Sequence, residues 1–454
     1  MMLLIEQLAR MKKDIFIQKS NLLTCFVCQN LKNMFPPKSK TKKLVYLDHA
    51  ATTYVNEQVE KAMKPFMAKI FGNPSSLYEL GRIANGELND CRRQVAEILH
   101  ALPDNIIFTG GGSESDNLAI LGVCRKIGNP SADAQGKKGH IITTQIEHHA
   151  VLHPCQQLEK EGFTVTYLEP DSQGFVSPKK VLAAIRPETI LISVMSANNE
   201  IGTVEPIADI GREILKYRKA NNSTLPYFHT DACQAGGVLE LDVEKLHVDL
   251  MTLNGSKIYG PKGVGLLYKR RGVNIQPLIM GGGQEMGLRS GTENLAGIVG
   301  FTKALTIAQE NRHEENMRLV DLRNYFFEQI QKNINNIKLN GPCLGNESVR
   351  LPNNLNVTFI DVEGEAMLLY LDAYGICCST GSACTSASLE PSHVLTALGL
   401  PYEYAHGSLR FTLGHCNTKV DIDYTMKYLP GIIEKLREMS PVNMGKMKHA
   451  KYKK

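Results

Sequence analysis

The chemistry of this chain centres on one lysine and one aspartate, each at the end of an apolar run. Lys257 follows Asp249-Leu-Met-Thr-Leu-Asn-Gly-Ser and precedes Ile-Tyr-Gly-Pro-Lys-Gly-Val-Gly265. A lysine at a strand end, in a turn without bulky neighbours, reaches into a cleft. Partial desolvation and a fixed position there suit its amine to Schiff-base chemistry. Asp231 stands in Phe228-His-Thr-Asp-Ala-Cys-Gln234, at the end of the preceding strand-like segment. A buried carboxylate at such a place can hold a pyridinium nitrogen protonated, so that the ring draws electrons. Taken singly, Asp231 reads rather as the start of a turn. Successive strand ends bearing Asp and then Lys suit one cleft at the carboxyl edge of a sheet.

Other candidates gather around this pair. Thr109-Gly-Gly-Gly-Ser113 joins a strand to a helix, and its glycines and free helix-start amides would accept a phosphate at Gly112 and Ser113. It is neither a Walker loop nor Gly-x-Gly-x-x-Gly, and a plain turn with a serine cap stays open. Glu147-His148-His149 follows another strand, and a histidine there could stack on a flat ring and move protons. Ser196-Ala-Asn-Asn199 lies just past a buried run, where its amides could serve a ring oxygen or a substrate carboxylate. Cys384 sits among small polar residues, in Gly381-Ser-Ala-Cys-Thr-Ser-Ala-Ser, the setting of a reactive thiol, whereas Cys377 and Cys378 follow an apolar run and read as buried. Arg410 falls in the strand-like Ser-Leu-Arg-Phe-Thr and needs a carboxylate partner, a ligand's included. Cys25 and Cys28 lack the second pair that a metal site requires, so no metal is expected.

These residues must be held by a sheet. Strand-like segments at 105–109, 140–144, 163–168, 189–195, 226–229 and 250–253 alternate with helical ones such as 114–122 and 207–218. That alternation predicts an α/β fold with a mostly parallel sheet covered by helices. After Gly300 the pattern changes. Phe301–Asn333 reads as one long helix, and strand-like Asn354–Ile360 and helix-like Glu363–Tyr374 indicate a smaller α+β domain. The expected division is a large domain over 59–313, a small domain over 44–58 and 314–440, a disordered basic extension over 1–43 and a basic tail over 441–454.

Of 454 residues, 43% are hydrophobic and 21% charged, as in ordinary globular proteins, and no run approaches the ~20 apolar residues of a membrane span. The net charge of +5 is concentrated at the two ends, so the body offers no broad basic face and no nucleic-acid partner is expected. The 11 scattered cysteines favour a reducing compartment. Cytoplasm is expected, or the mitochondrial matrix if residues 1–43 serve as a transit peptide.

With Lys257, Asp231, His148 and Cys384 together, the chain resembles the cysteine desulfurases, pyridoxal-phosphate enzymes of aminotransferase class V and fold type I. The likeness runs from Val45-Tyr-Leu-Asp-His-Ala-Ala-Thr-Thr53 to Pro441 and includes Gly72-Asn-Pro-Ser-Ser76, Asn198-Asn-Glu-Ile-Gly202 and Arg289-Ser-Gly-Thr292. The loop around Cys384 looks like that of the long-loop group serving iron–sulfur cluster assembly and thiolation. The resemblance implies a seven-stranded-type sheet, pyridoxal 5′-phosphate as cofactor, L-cysteine as substrate, a homodimer and a sulfur-acceptor protein, either a cluster scaffold or a thiolation enzyme. It implies that Lys257 forms the Schiff base and moves the Cα proton, Asp231 meets the ring nitrogen, Gln234 the ring hydroxyl, and His148 the ring face. Gly112, Ser113, Asn254 and Ser256 would lie at the phosphate, with Thr292 reaching the phosphate of the neighbouring subunit. Asn199 and Arg410 would hold the substrate carboxylate, and Cys384 would take the sulfur as a persulfide.

Two other readings stay open: a selenocysteine lyase or another class V enzyme that removes a Cβ substituent, and a non-catalytic sulfur carrier. The family's turn before the lysine is Ser-Gly-His-Lys; here it is Asn254-Gly-Ser256-Lys257. Loss of the histidine removes a possible positive charge at the phosphate, while Ser and Asn still donate hydrogen bonds. The expected outcome is an enzyme that loses cofactor readily yet regains its Schiff-base absorbance when pyridoxal phosphate is added. No absorbance after addition would contradict this.

Overall fold

A computed structural model describes residues 43–128, 138–346, 348–381 and 391–439. Cys384, Cys25, Cys28 and most of both basic ends lie outside the described residues.

One sheet organises the larger part of the chain. Its strands are β2 (Ile106–Thr109), β3 (His140–Thr144), β4 (Thr164–Leu168), β5 (Thr189–Ser193), β6 (Tyr227–Asp231), β7 (Leu250–Asn254) and β8 (Gly265–Lys269), in spatial order β2-β8-β7-β6-β5-β3-β4. All pairings are parallel except those of β8, which runs antiparallel to β2 and β7. The sheet is therefore mostly parallel, as expected, but β8 occupies ground that the glycines of 260–265 mark as loop. The Gly-Pro-Lys-Gly segment is a tight return, and Gly-Leu-Leu-Tyr behind it pairs straight back onto β7.

Alternation along these strands feeds two cores. Leu191, Tyr227, Leu250 and Leu267 point to one face, against α3 (Gly112–Ile127) and α4 (His149–Lys160). Ile192, Phe228, Met251 and Leu266 point to the other, under α1 (Glu57–Ala68), α2 (Glu79–Leu99) and α8 (Leu295–Glu310). α5 (Pro178–Ala184), α6 (Ile207–Ala220) and the short α7 (Val243–Leu246) complete that second layer.

A separate cluster forms around the antiparallel sheet β9 (Ile337–Leu339), β10 (Asn354–Phe359) and β12 (Ser408–Thr412), ordered β12-β10-β9. α9 (Arg312–Asn333), α10 (Gly364–Asp372) and α13 (Lys419–Met439) pack on it, as does the small parallel pair of β1 (Val45–Tyr46) and β11 (Ile376–Cys377). α11 (His393–Ala397) and α12 (Tyr402–His406) bury Val394, Leu395 and Ala405 against Ile146 and Ile201.

The long helix expected over Phe301–Asn333 is two helices. The break falls at Asn311 (φ −93°, ψ 1°), whose side-chain amide donates back to Ile307 O at 2.9 Å. α8 buries Ile298, Phe301, Ala304 and Leu305 in the large core, whereas α9 buries Leu319, Phe326 and Ile330 in the smaller one. A straight helix cannot turn its apolar side toward two cores, so the chain bends where one ends and the other begins. No helix among the described residues is long and apolar enough to cross a membrane.

Phe326 is fully buried and meets Phe411 edge-on, with ring centroids 4.9 Å apart. Phe326→Ala is expected to destabilise the cluster around β10 by about 3–5 kcal/mol. A urea unfolding curve with an unchanged midpoint would contradict that packing.

Candidate active site

Five parallel strands deliver their carboxyl ends to one edge of the sheet, and a cavity of about 310 Å³ opens there. β2 leads into Gly110–Gly112 and the start of α3; β3 leads to Glu147 and His148; β5 leads to Met195–Glu200. β6 ends on Asp231, and β7 ends on Asn254 before Lys257. This is the edge at which α/β sheets bind ligands.

The start of α3 forms one wall. Gly112 is the first helical residue, and a Cβ on it would come 2.7 Å from Cys233 Sγ, so only glycine leaves this wall open. Its unpaired amides and the Ser113 side chain face a space suited to an anion. Asn254 borders the same wall; its Oδ1 accepts from Ser256 N–H and Oγ–H, each at 3.2 Å.

Lys257 projects from a single 3-10 turn, Gly255–Lys257. Its Nζ donates to Ala50 O at 2.8 Å and also to Ala51 O. Thr53 staples the two segments together: its N–H donates to Ser256 O at 2.8 Å, and its hydroxyl accepts from Tyr259 N–H at 2.8 Å. The same short segment supplies Asp48, which accepts from Arg410 Nη2 at 2.7 Å. Arg410 Nη1 donates to Asn199 O at 3.1 Å, and its Nε is buried without a partner among the described residues. The arginine thus has its carboxylate from within the chain and keeps an N–H for an anion in the cavity.

Asp231 is buried, and its Oδ1 accepts from Cys233 N–H at 2.9 Å. His148 caps α4: its Nδ1 accepts from Ala150 N–H at 3.1 Å, so the neutral ring carries its proton on Nε2. Burial lowers the pKa of His148, which keeps it neutral. Glu147 is fully buried; its Oε1 accepts from Met195 N–H and Thr144 Oγ1–H, each at 2.9 Å. Burial pushes its carboxyl up to about 8.

The cavity therefore brings together Gly112, Ser113, His148, Asn199, Asp231, Gln234, Asn254, Lys257 and Arg410. It does not bring in two residues singled out by sequence. Ser256 turns its hydroxyl onto Asn254 and does not line the cavity, and Thr292 is exposed and outside it. Cys384 lies outside the described residues, though Gly381 before it and His393 after it both line the cavity. Asp48, Ala50, Asp116, Glu147, His149 and Cys233 were not singled out. A buried arginine's need for a carboxylate was the one signal pointing to Asp48. Asp116 lies just after the Gly112–Ser113 turn but reads in sequence as an ordinary acid near a helix start.

The aminotransferase class-V family model matches residues 45–425. A protein of Clostridium botulinum strain Hall, "Cysteine desulfurase IscS", is 53% identical over 412 residues, covering 90% of this chain and 100% of the relative. The Dictyoglomus turgidum protein of the same name is 51% identical, covering 88% of this chain and 97% of its own length. Among solved structures, a "NifS-like protein" superposes with a TM-score of 0.78 at 36% identity, covering 86% of this chain and 100% of its own. "SspA in complex with cysteine" gives 0.69 at 38%, covering 81% and 98%.

Glu147 yields a pH test. A carboxyl raised on folding stabilises the fold fully below the unfolded value of 4.5, and that contribution is lost as pH rises toward about 8. Glu147→Gln is expected to flatten this part of the melting-temperature profile between those limits, and an unchanged slope would contradict it.

Proposed function

This chain belongs to the cysteine desulfurases of the aminotransferase class-V family, and from that premise we propose how its cavity works: pyridoxal 5′-phosphate held beside Lys257, and L-cysteine held by Arg410. The chain is an enzyme that removes sulfur from L-cysteine and leaves L-alanine. The observation that carries the reading is the convergence of an amine, a buried carboxylate and a neutral imidazole on the strand ends of one cavity.

The donor set fits the cofactor. The amides at Gly112, with Ser113 and Asn254, offer a phosphate cradle that any Cβ on Gly112 would obstruct, and Ser256 acts through Asn254. Asp231 would hold the proton on the ring nitrogen, Gln234 would meet the ring hydroxyl, and His148 would cover the ring face. When bound, the cofactor draws electrons from the substrate's Cα. Lys257 would hold and move the Cα proton, its amine placed by the Ala50 and Ala51 carbonyls. Arg410 Nε, with Asn199 beside it, would receive the substrate carboxylate.

Cys384 would take the sulfur. Its thiolate attacks the substrate's sulfur atom, an S–S bond forms as the C–S bond breaks, and the carbon gains protons to leave as alanine. The persulfide would then pass to an acceptor protein for iron–sulfur assembly or thiolation. We place the enzyme in the cytoplasm as a homodimer, with Thr292 serving the neighbouring subunit. Support for the dimer is the apolar surface between α1 and α2, where Phe71 is 70% and Leu77 89% exposed. We divide the chain at 59–313 and at 44–58 with 314–440, following its two main cores.

The test is alanine and sulfide release from L-cysteine with added pyridoxal phosphate. Lys257→Ala is expected to abolish both products, and equal rates would sink the mechanism. Cys384→Ser is expected to lose cysteine-derived sulfide; turnover of selenocysteine alone in that variant would favour a lyase.

A further inference from the structure

Beneath the cavity one face of the sheet changes character. Leu191, Tyr227 and Leu250 form an apolar row on β5, β6 and β7, and two residues further along the same strands stand Ser193, His229 and Thr252, all fully buried. His229 Nδ1 lies 2.9 Å from Ser193 Oγ, and its Nε2 lies 3.1 Å from Thr252 Oγ1. Asp231, again two residues on, is the register partner of Thr252. Asp116 descends onto this row from the second turn of α3. It is 1% exposed, its Oδ1 has no hydrogen-bond partner among the described residues, and that oxygen lies 3.7 Å from His229 Nε2. Two carboxyls thus share the floor of one cavity, and the mechanism uses only Asp231.

We propose that Asp116 is a positioning residue for Asp231: a carboxyl kept protonated beside His229 and Thr252, leaving the negative charge beneath the cavity to Asp231. This rests on the reading of the cavity as a pyridoxal-phosphate site. The groups that face Asp116 favour its neutral form. Asp231 on β6 and Glu147 after β3 are carboxyls, Cys233 is a half-buried thiol, and Lys257 lines the same cavity with its amine turned to Ala50 and Ala51. His229 is held neutral by burial, with its pKa lowered to about 4, so it offers Asp116 no counter-charge. Burial, then the Asp231 charge, raises the Asp116 carboxyl well above its usual range. A second ionised carboxylate here would be an unpaired buried charge, whereas a protonated one leaves no charge to desolvate. The charge facing the ring nitrogen is then fixed by Asp231 alone, which is what a constant electron sink requires.

The test uses the full chain with and without pyridoxal phosphate. D116N, a neutral near-isostere, is expected to fold and to lose part of the decline in melting temperature that a raised carboxyl causes as pH climbs above the usual carboxylate range. It is also expected to lose a protonated-carboxyl stretch from the infrared spectrum, and with cofactor bound to shift the pH midpoint of the absorbance band. An unchanged pH slope together with an unshifted midpoint overturns the proposal. If D116N fails to fold, nitrogen NMR of His229 in the unmodified chain decides: one protonated ring nitrogen sustains the neutral pair, and two overturn it. Absence of cofactor binding would remove the proposed function but leave the melting and NMR arms readable, so the two failures are distinguishable.

Discussion

The hold of two consecutive carbonyls on the Lys257 amine is the interaction on which the site turns. Ala50 O and Ala51 O belong to a segment remote in sequence, and that segment is fixed from both sides. Thr53 bonds it to the lysine turn, Ala50 N–H donates to Thr412 Oγ1 at 2.9 Å, and Asp48 pairs with Arg410. Gln234 also donates to Ala50 O, at 3.1 Å. Six residues therefore join the amine, the ring-hydroxyl candidate and the substrate-carboxylate candidate. Moving this segment would disturb the amine and leave a buried guanidinium without its charge partner, a loss that in other buried pairs costs about 3–5 kcal/mol.

The second constraint is electrostatic. A site proposed to bind a phosphate, a carboxylate and a ring nitrogen would concentrate charge at the edge of an apolar sheet. Each charge has a local answer: helix-start amides that would face the proposed phosphate, Asp48 beside Arg410, and the Cys233 amide on Asp231. Glu147 is buried deeply enough that burial outweighs its amide and hydroxyl donors and pushes it toward neutrality instead. The result is a site whose charges are few and whose remaining polar groups are donors and acceptors held in place.

Much of this was legible in the chain. Lys257, Asp231, His148 and the Gly112–Ser113 turn declare themselves because each ends or follows a continuous apolar run, and because their chemical types are costly to bury without purpose. Asp48 and Ala50 were not legible in the same way, since their partners Arg410 and Lys257 are distant in sequence and backbone carbonyls leave no mark on residue type. Asp116 resembles any helix-start acid until the polar row under it is seen. The bend at Asn311 was hidden because α8 and α9 are each good helices, and only the existence of two cores forces them apart. β8 was masked by the glycines that precede it.

The row of Ser193, His229 and Thr252 has a bearing on how the sheet assembles. Parallel strands with uniform aliphatic faces can slide by two residues without turning a side chain to the wrong face. In β6 such a slide would carry His229 to the level of Leu191, and Asp231 to the level of Ser193 and Leu250, leaving both without their partners. Only one alignment satisfies the imidazole on both nitrogens and leaves the carboxylate at the open edge. The polar floor thus acts as a key for strand alignment, and a chain that has paired β5, β6 and β7 correctly has, by the same event, set the depth of its own active site.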